Sequence, residues 1–139
     1  MNYKIIGKYI KDLNFSIPNP KTFFLLSKDI TNYKINIDIK SNQIKQSIIE
    51  VVTSLNLSSN KNDLEKINTK IVYATLIELT DENIEKNKLE QIVLIEVPSK
   101  VYGELRKIFV NLFENSGFKD IKISEKVDFK KLYEMRKIQ

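Results

Sequence analysis

The spacing between apolar residues changes once along this chain, and that change decides the class of fold. Between residues 33 and 79 apolar and polar side chains alternate, most regularly over Tyr33–Ile39. A period of two is that of a β-strand with one face on the core and the other in water. From Leu89 onward apolar residues recur every three or four positions, which is the period of an α-helix. Strands followed by helices predict an α+β fold.

Four segments carry the strand pattern, and they span residues 3–15, 33–39, 46–57 and 67–79. Because no helical pattern separates them, they predict a four-stranded antiparallel meander with a long first connection. That connection covers residues 16–31 and contains Pro18 and Pro20. Proline lacks an amide donor and favours extended backbone in the residue before it. We therefore expect a stiff, extended crossover between the first two strands.

The helical stripe of the second half contains Pro98. A proline inside a helix removes a hydrogen bond and clashes with the preceding turn, so we expect a kink there. Gly117 is a suitable C-terminal cap for this helix, and Asp128 is a suitable N-cap for a short last helix. The predicted fold is a four-stranded antiparallel sheet followed by a long Pro-kinked helix and a short C-terminal helix. We expect one domain over residues 1–139.

The absence of histidine and cysteine limits the chemistry open to this chain of 139 residues. The usual proton shuttles and soft metal ligands are missing, so we expect neither enzymatic activity nor a cofactor. Asp81, Glu82 and Glu85 lack the spacing of a cation site, so we expect no metal. No apolar run approaches about 18 residues, and no signal-peptide pattern opens the sequence. These features predict a cytoplasmic protein without membrane insertion.

The formal charge of +5 raises the alternative of a small basic nucleic-acid-binding protein. Such a protein needs aromatic and basic side chains together on one exposed sheet face. Here the lysines are scattered among asparagines and acidic residues, a pattern more typical of a solvated surface. We therefore expect no nucleic acid binding, and this reading stays the weaker alternative.

The end of the first predicted strand and the start of the crossover carry the motif Tyr-Ile-Lys-Asp-Leu-Asn-Phe-Ser-Ile-Pro-Asn, over residues 9–19. This motif closely resembles the first strand of the SecB export chaperones. Further matches follow in the family's order, at Pro98, Arg106, Gly117-Phe118, Asp128-Phe129 and Leu132-Tyr133. The order and spacing of these motifs together resemble the SecB family over nearly the full length.

The resemblance implies a molecular chaperone that holds unfolded polypeptides without ATP and delivers precursors for protein export in the cytoplasm. It also implies a homotetramer, built as a dimer of dimers with the long helix at its centre. A second reading of the same resemblance is a chaperone dedicated to the antitoxin of a toxin–antitoxin system. The expected partners are unfolded polypeptide clients, together with either the SecA ATPase or an antitoxin.

Four apolar side chains follow the proline crossover, where a solvated loop would be polar; they are Phe23, Phe24, Leu25 and Leu26. The resemblance implies that they line a groove for clients, opposite Leu132 and Tyr133 of the last helix. Apolar contact needs no fixed partner geometry, so such a groove accepts many sequences. The residues alone favour the alternative, a loop pinned to the core, and the resemblance favours the groove for Phe24.

The apolar stripe of the long helix is wide, which indicates either deep burial or an oligomer seam. The resemblance favours the seam. The residues assigned to this oligomer interface are Val97, Val101, Leu105, Ile108, Phe109 and Leu112.

A docking surface for SecA is acidic in the SecB family. Its positions correspond here to Asp12, Ser16 and Lys70, of which only Asp12 is acidic. Complementary charge speeds encounter between partners, so the resemblance together with the charge of +5 predicts weak docking of SecA.

Overall fold

A computed structural model describes residues 2–28, 33–59, 68–81, 83–118, 123 and 125–138. Within these ranges the order of elements is β1 (Tyr3–Ser16), α1 (Pro20–Lys28), β2 (Tyr33–Gln43), β3 (Ile48–Ser59), β4 (Asn68–Leu79), α2 (Lys86–Gln91), a π-helical turn (Ile92–Glu96), α3 (Val97–Asn115) and α4 (Phe129–Ile138). The sheet followed by helices confirms the α+β class. The end of the predicted crossover, residue 67 and Glu82 lie outside the described residues.

The four strands form one antiparallel sheet in the order β1-β4-β3-β2. β2, β3 and β4 are successive neighbours, as in a meander, but β1 pairs with β4 at the far edge. The long first connection explains this difference, since it can lead the chain from one edge to the other, whereas a hairpin joins neighbouring strands. β1 and β2 are therefore the edge strands of this sheet.

The expectation of an extended crossover is wrong for residues 20–28, which form the helix α1. Pro20 is the first helical residue, a position where its missing amide costs no hydrogen bond and its backbone angle suits a helix. Asn19 caps the helix, because its side-chain oxygen accepts a 2.9 Å hydrogen bond from the amide of Thr22. The Asn-Pro pair is thus a helix start.

Helical elements follow one another directly from α2 through the π turn into α3. Pro98 lies in the first turn of α3, directly after the π turn. The hydroxyl of Ser99 donates a 2.6 Å hydrogen bond to the carbonyl of Ile95, within the π turn. The irregularity expected at Pro98 therefore takes the form of a π turn just before it, one of the known ways in which a helix accommodates a break in its ladder.

Both predicted helix caps are confirmed. Gly117 has a φ of 98°, and the amide of Phe118 donates a 3.1 Å hydrogen bond to the carbonyl of Phe113. This is the Schellman pattern, and the rings of the same two phenylalanines are in contact. At the start of α4 the carboxylate of Asp128 accepts a 3.0 Å hydrogen bond from the amide of Lys131.

One face of the sheet is covered by the π turn and α3, and we call it the helix face; the opposite one is the outer face. The α3 residues Val97, Val101, Leu105, Phe109 and Phe113 have no exposed surface. They pack in the core with strand residues that include Val51, Leu55, Ile71 and Ile77. The apolar stripe of the long helix therefore covers the chain's own sheet.

This packing corrects the predicted oligomer seam. Val97, Val101, Leu105 and Phe109 are fully buried within the single chain, so they have no surface left to bury against a second subunit. Ile108 and Leu112 are only half-buried. The interface prediction is therefore kept for those two residues alone.

β1 carries two β-bulges, at Ile6 and at Lys11, where its register with β4 shifts by one residue. A bulge inserts one residue and so exchanges the faces of the residues beyond it. Strict alternation would place Tyr9 on the same face as Tyr3, but the first bulge moves Tyr9 to the outer face. The strand thus sends apolar side chains to both faces.

Candidate binding groove

An open groove runs along the edge strand β2, between this strand and the nearby helices. Its larger cavity, of about 580 Å³, is lined by Ile39, Lys40, Ser41, Asn42, Gln43, Ile49, Lys86, Leu89, Glu90, Val93, Leu94 and Arg136. A second cavity, of about 370 Å³, is lined by Ile37, Asp38, Ile39, Leu94, Leu132, Tyr133 and Arg136. Ile39, Leu94 and Arg136 belong to both linings, so we treat the two cavities as one groove, the β2 groove.

Three elements supply the apolar surface of the β2 groove. Alternation along β2 places Ile37 and Ile39 on the helix face, opposite Leu55 and Thr53 of β3. The π turn supplies Leu94, and π turns are frequent at functional sites. Leu132 of α4 is 41% exposed. The groove therefore offers apolar side chains that are open to solvent.

α4 is held against the π-turn region by contacts at two successive turns. The hydroxyl of Tyr133 donates a 3.0 Å hydrogen bond to Oε2 of Glu90 on α2. One turn earlier the ring of Phe129 lies 5.9 Å from the ring of Tyr102, edge to face. Both aromatic residues of α4 are buried. Because α4 is short, these anchors fix the wall of the groove that carries Leu132.

The structure brings together only part of the predicted client-binding set. Leu132 and Tyr133 line the second cavity, whereas none of the described cavities is lined by any residue of α1. Leu26 is only 1% exposed and belongs to the core. The ring of Phe23 lies 4.7 Å from that of Phe118, next to the end of α3.

Phe24 differs from its neighbours on α1. It is 67% exposed, while Leu25 is half-buried. Leu26 therefore anchors α1 to the core, as the alternative interpretation expected. Phe24 is exposed outside the groove, where it stays a predicted contact site for clients. The amphipathic nature of α1, which the extended-crossover prediction missed, explains why adjacent residues have such different exposure.

Sequence reasoning missed Ile39 and Leu94, which are shared by both cavities of the β2 groove. The alternation of β2 does give a signal for Ile39, because it continues to the last apolar residue of the strand. Leu94 has no such signal, since its exposure depends on the π turn and on where α4 packs.

The predicted docking positions lie together on the outer face. Asp12 pairs with Val72, Ser16 pairs with Asn68, and Lys70 pairs with Asn14 between them. Lys70 is exposed. The carboxylate of Asp12 accepts hydrogen bonds from the amide of Leu13 and the side chain of Asn14. The surface therefore exists as a patch, and its role in docking stays a prediction.

A polar network crosses the middle of the outer face. Glu50 on β3 is only 4% exposed, and its carboxylate accepts hydrogen bonds from Tyr9, Lys11 and Asn42. The bonds from Tyr9 and then Lys11 hold the pKa of Glu50 below its ordinary value. The same contacts raise the pKa of Tyr9 and of Lys11. This network joins the edge strand β1 to β3 across β4.

No helix in the described ranges is long and apolar enough to cross a membrane. Nor do three or more acidic side chains in this part of the chain come together as ligands for a metal ion.

Comparison with known proteins identifies the family. A family model described as "Preprotein translocase subunit SecB" matches residues 1–139. The chain belongs to the SecB family. This confirms the resemblance drawn from the motifs of its first strand and last helices, and the family is a non-enzymatic one of chaperones.

Two relatives support a SecB-like chaperone role in protein export. This SecB-family chain is 40% identical over 135 residues to the "Putative protein-export protein SecB" of Pelagibacter ubique, which covers 97% of this chain and 96% of the relative. It is 27% identical over 143 residues to the protein-export protein SecB of Anaplasma phagocytophilum, which covers 94% of this chain and 90% of the relative.

A solved structure shares the fold. The SecB-like chaperone of Mycobacterium tuberculosis, in complex with a ChAD peptide from an antitoxin, matches with a TM-score of 0.67 and 12% identity. The match covers 91% of this chain and 88% of the other. It confirms the SecB-like α+β fold, in which four antiparallel strands precede the long helix.

Proposed function

We propose that this SecB-family chain holds segments of unfolded polypeptide in the β2 groove, without nucleotide and without catalysis. The observation that supports this most is the continuity of the two cavities through Ile39, Leu94 and Arg136 along an edge strand. Apolar burial is non-directional, so such a groove accepts segments of many sequences. Its clients are thereby defined by exposed apolar residues rather than by a fold.

Strand β2 adds a second means of binding. Among the described strands it pairs with β3 alone, so its other edge can pair with an extended chain. An added strand is held by main-chain hydrogen bonds, while alternate side chains enter adjacent pockets. In a native protein, extended segments are already paired within that protein's own sheets. Pairing with β2 therefore favours unfolded clients.

The test is suppression of aggregation of a denatured substrate by the purified protein. We expect suppression at a stoichiometric ratio of chaperone to client, with no effect of added ATP. Leu132→Asp, in the groove, should weaken suppression. Ile44→Asp is the matched control, since Ile44 is 52% exposed and lines no described cavity. Equal loss in both variants, or a requirement for ATP, would contradict the proposal.

We propose that the chain assembles through β1 rather than through the buried stripe of α3. Its large exposed apolar residues are Ile6, Tyr9, Ile10 and Leu13. Among the residues whose exposure is described, the other edge strand, β2, has no large apolar side chain exposed to this extent. Apolar burial at about 25 cal/mol/Å² then favours association of β1 edges.

The half-buried residues of α3 extend this surface. Glu104 Oε1 accepts a 2.7 Å hydrogen bond from Lys8 Nζ, which shows the side of α3 that faces β1. Ile108 and Leu112 follow Glu104 at four-residue steps and so lie along the same side. We propose a homodimer built on this surface, and a homotetramer, a dimer of two such dimers, as the full assembly.

Two partners fit the proposed chaperone. The names of the relatives favour a role in protein export. We propose that the chain delivers precursors in the cytoplasm, with SecA as the receiving ATPase. The bound antitoxin peptide of the Mycobacterium tuberculosis neighbour favours a second candidate, protection of an antitoxin. We propose export as the main role, with no nucleic acid binding and no membrane insertion.

A further inference from the structure

Two cationic residues line the larger cavity of the β2 groove from its helical side. Lys86 belongs to α2 and Arg136 to α4, so the two positive charges come from different elements. Within the part of the chain that the structure describes, neither of them makes an ion pair. Both are exposed and available to a ligand. Lys40 also borders this cavity, but it pairs with Val52, so the alternation of β2 places its side chain on the outer face.

The lysines of β1 behave differently. Nζ of Lys4, Lys8 and Lys11 each lies between 2.7 and 3.2 Å from a carboxylate oxygen of another element. The one carboxylate that lines the larger cavity is Glu90, and its Oε2 already accepts the hydrogen bond from Tyr133. Asp38, which borders the second cavity, alternates to the outer face like Lys40. The helical side of the larger cavity therefore has one more positive than negative charge, whereas the lysines of β1 are paired.

The floor beneath these cations is apolar. Ile39, Ile49, Leu89 and Val93 line the same cavity, and Leu94 connects it to the second one. A ligand that satisfies both features has apolar side chains to bury and negative charges beside them. A purely apolar segment would leave both cations without partners, and a basic segment would be repelled.

Resting on the proposed holding function, we infer that the β2 groove selects apolar client segments that are flanked by aspartate or glutamate. Apolar side chains enter the cavities, and the flanking carboxylates pair with Lys86 and Arg136. An arginine at one end suits this role, since its guanidinium binds a carboxylate through two hydrogen bonds. The +5 charge of the whole chain attracts such segments from further away.

The test uses three fluorescent peptides with one apolar core and with Asp, Asn or Lys at the flanking positions. We expect the wild-type protein to bind the Asp-flanked peptide roughly fivefold more tightly than the Asn-flanked one, as two exposed ion pairs together provide. The Lys-flanked peptide should bind most weakly. Raising the salt concentration should reduce these differences, because exposed pairs are screened.

Charge reversal separates the groove from the overall charge. The double variant Lys86→Glu/Arg136→Glu should reverse the order and prefer the Lys-flanked peptide. The control Lys21→Glu/Lys107→Glu has the same net charge, and both of its positions are exposed and outside the described cavities. We expect it to keep the wild-type order of preference.

The outcomes distinguish this inference from the function on which it rests. Equal binding of Asp- and Asn-flanked peptides, or reversal by the control, would overturn the inference while holding of clients stands. If decanoate displaces the peptides and binding does not depend on the flanking charge, the cavity binds a fatty carboxylate and the inference is overturned. If the Lys86→Glu/Arg136→Glu variant has a different oligomeric mass from the wild type, the cavity binds a second copy of the chain and the inference is likewise overturned. Absence of both peptide binding and aggregation suppression would overturn the two proposals together.

Discussion

The hydroxyl of Tyr133 donates a 3.0 Å hydrogen bond to Oε2 of Glu90, between residues 43 positions apart in the chain. The bond joins α4 to α2, two helices that contribute side chains to the β2 groove. Tyr133 is itself buried, so its ring packs while its hydroxyl reaches the carboxylate. The spacing between the walls of the groove therefore depends on this pair.

Tyr133→Phe removes the hydroxyl and keeps the ring. We expect α4 to be less stably docked by about 1 kcal/mol, the usual net contribution of one hydrogen bond. Hydrogen exchange at the amides of α4 should quicken and client affinity should fall, while the sheet exchanges as before. Met135→Ala, at an exposed position of α4, is the control and should leave exchange unchanged. Unaltered exchange in Tyr133→Phe would show that ring packing alone positions α4.

Phe24 and Leu26 should respond differently to the same substitution. Phe24 is 67% exposed and Leu26 is 1% exposed. Phe24→Asp should therefore leave the melting temperature nearly unchanged and weaken suppression of client aggregation, because it removes an exposed apolar contact. Leu26→Asp should unfold the protein, since it buries an unpaired charge. Thermal melts and aggregation assays measure both, and unfolding of Phe24→Asp would limit α1 to a purely structural role.

Assembly should depend on β1 and not on the core of α3. Leu13→Asp places a charge on an exposed apolar edge, so the monomer should fold but fail to associate. Leu105→Ala should instead lower the free energy of unfolding by about 2–5 kcal/mol through the cavity that it creates. Light scattering gives the mass, and denaturant titration gives the stability. An assembly that survives Leu13→Asp would require a different interface.

The Glu50 network predicts how stability depends on pH. The pKa of Glu50 is lower in the folded chain than in the unfolded one, so its contribution is present above the ordinary value of 4.5 and is lost as pH falls through the folded pKa. The pKa values of Tyr9 and Lys11 are raised, so their contribution is lost as pH rises through the folded values, above 10. Stability from this network should therefore be complete between about pH 5 and pH 10.

The variant Glu50→Gln tests that dependence. Denaturant midpoints measured from pH 3 to pH 7 should rise less steeply with pH in the variant than in the wild type, because the carboxylate that titrates is gone. Glu114→Gln is the control, since Glu114 is exposed on α3 and has no ion pair within the described residues. Parallel curves for Glu50→Gln and the wild type would assign the acid sensitivity to other carboxylates.

Docking of SecA should be weak. Lys70 and Ser16 occupy exposed positions of the outer face where the family pattern is acidic, and the chain carries a charge of +5. Repulsion from a basic docking element lowers the association rate, most at low salt, where the Debye length is roughly 30 Å. We expect Lys70→Glu to improve binding of SecA at low salt. Tight, salt-sensitive binding by the wild type would contradict this prediction and show that docking of SecA does not need acidic side chains at these positions.

The class of fold and the ends of the helices follow from local signals. The alternation of apolar residues over β2 to β4 specifies strands, because only extended backbone then places the apolar side chains on one face. The spacing of three and four residues in α3 specifies a helix for the same reason. Gly117 and Asp128 specify helix ends because capping involves only atoms a few residues away. The motifs of residues 9–19 and of the last helix were enough to predict the SecB family.

Other features depend on contacts between distant residues, which a sequence pattern does not contain. A wide apolar stripe on α3 can pack equally well on a sheet of the same chain or on another subunit. Only the tertiary structure shows that Leu105 and Phe109 lie in one core cluster with Leu55 and Ile71. The place of β1 beside β4 and the two bulges that turn Tyr9 outward depend likewise on pairing across the sheet. The β2 groove depends on three distant elements meeting, since Ile39, Leu94 and Arg136 become neighbours only after α4 packs against the π turn.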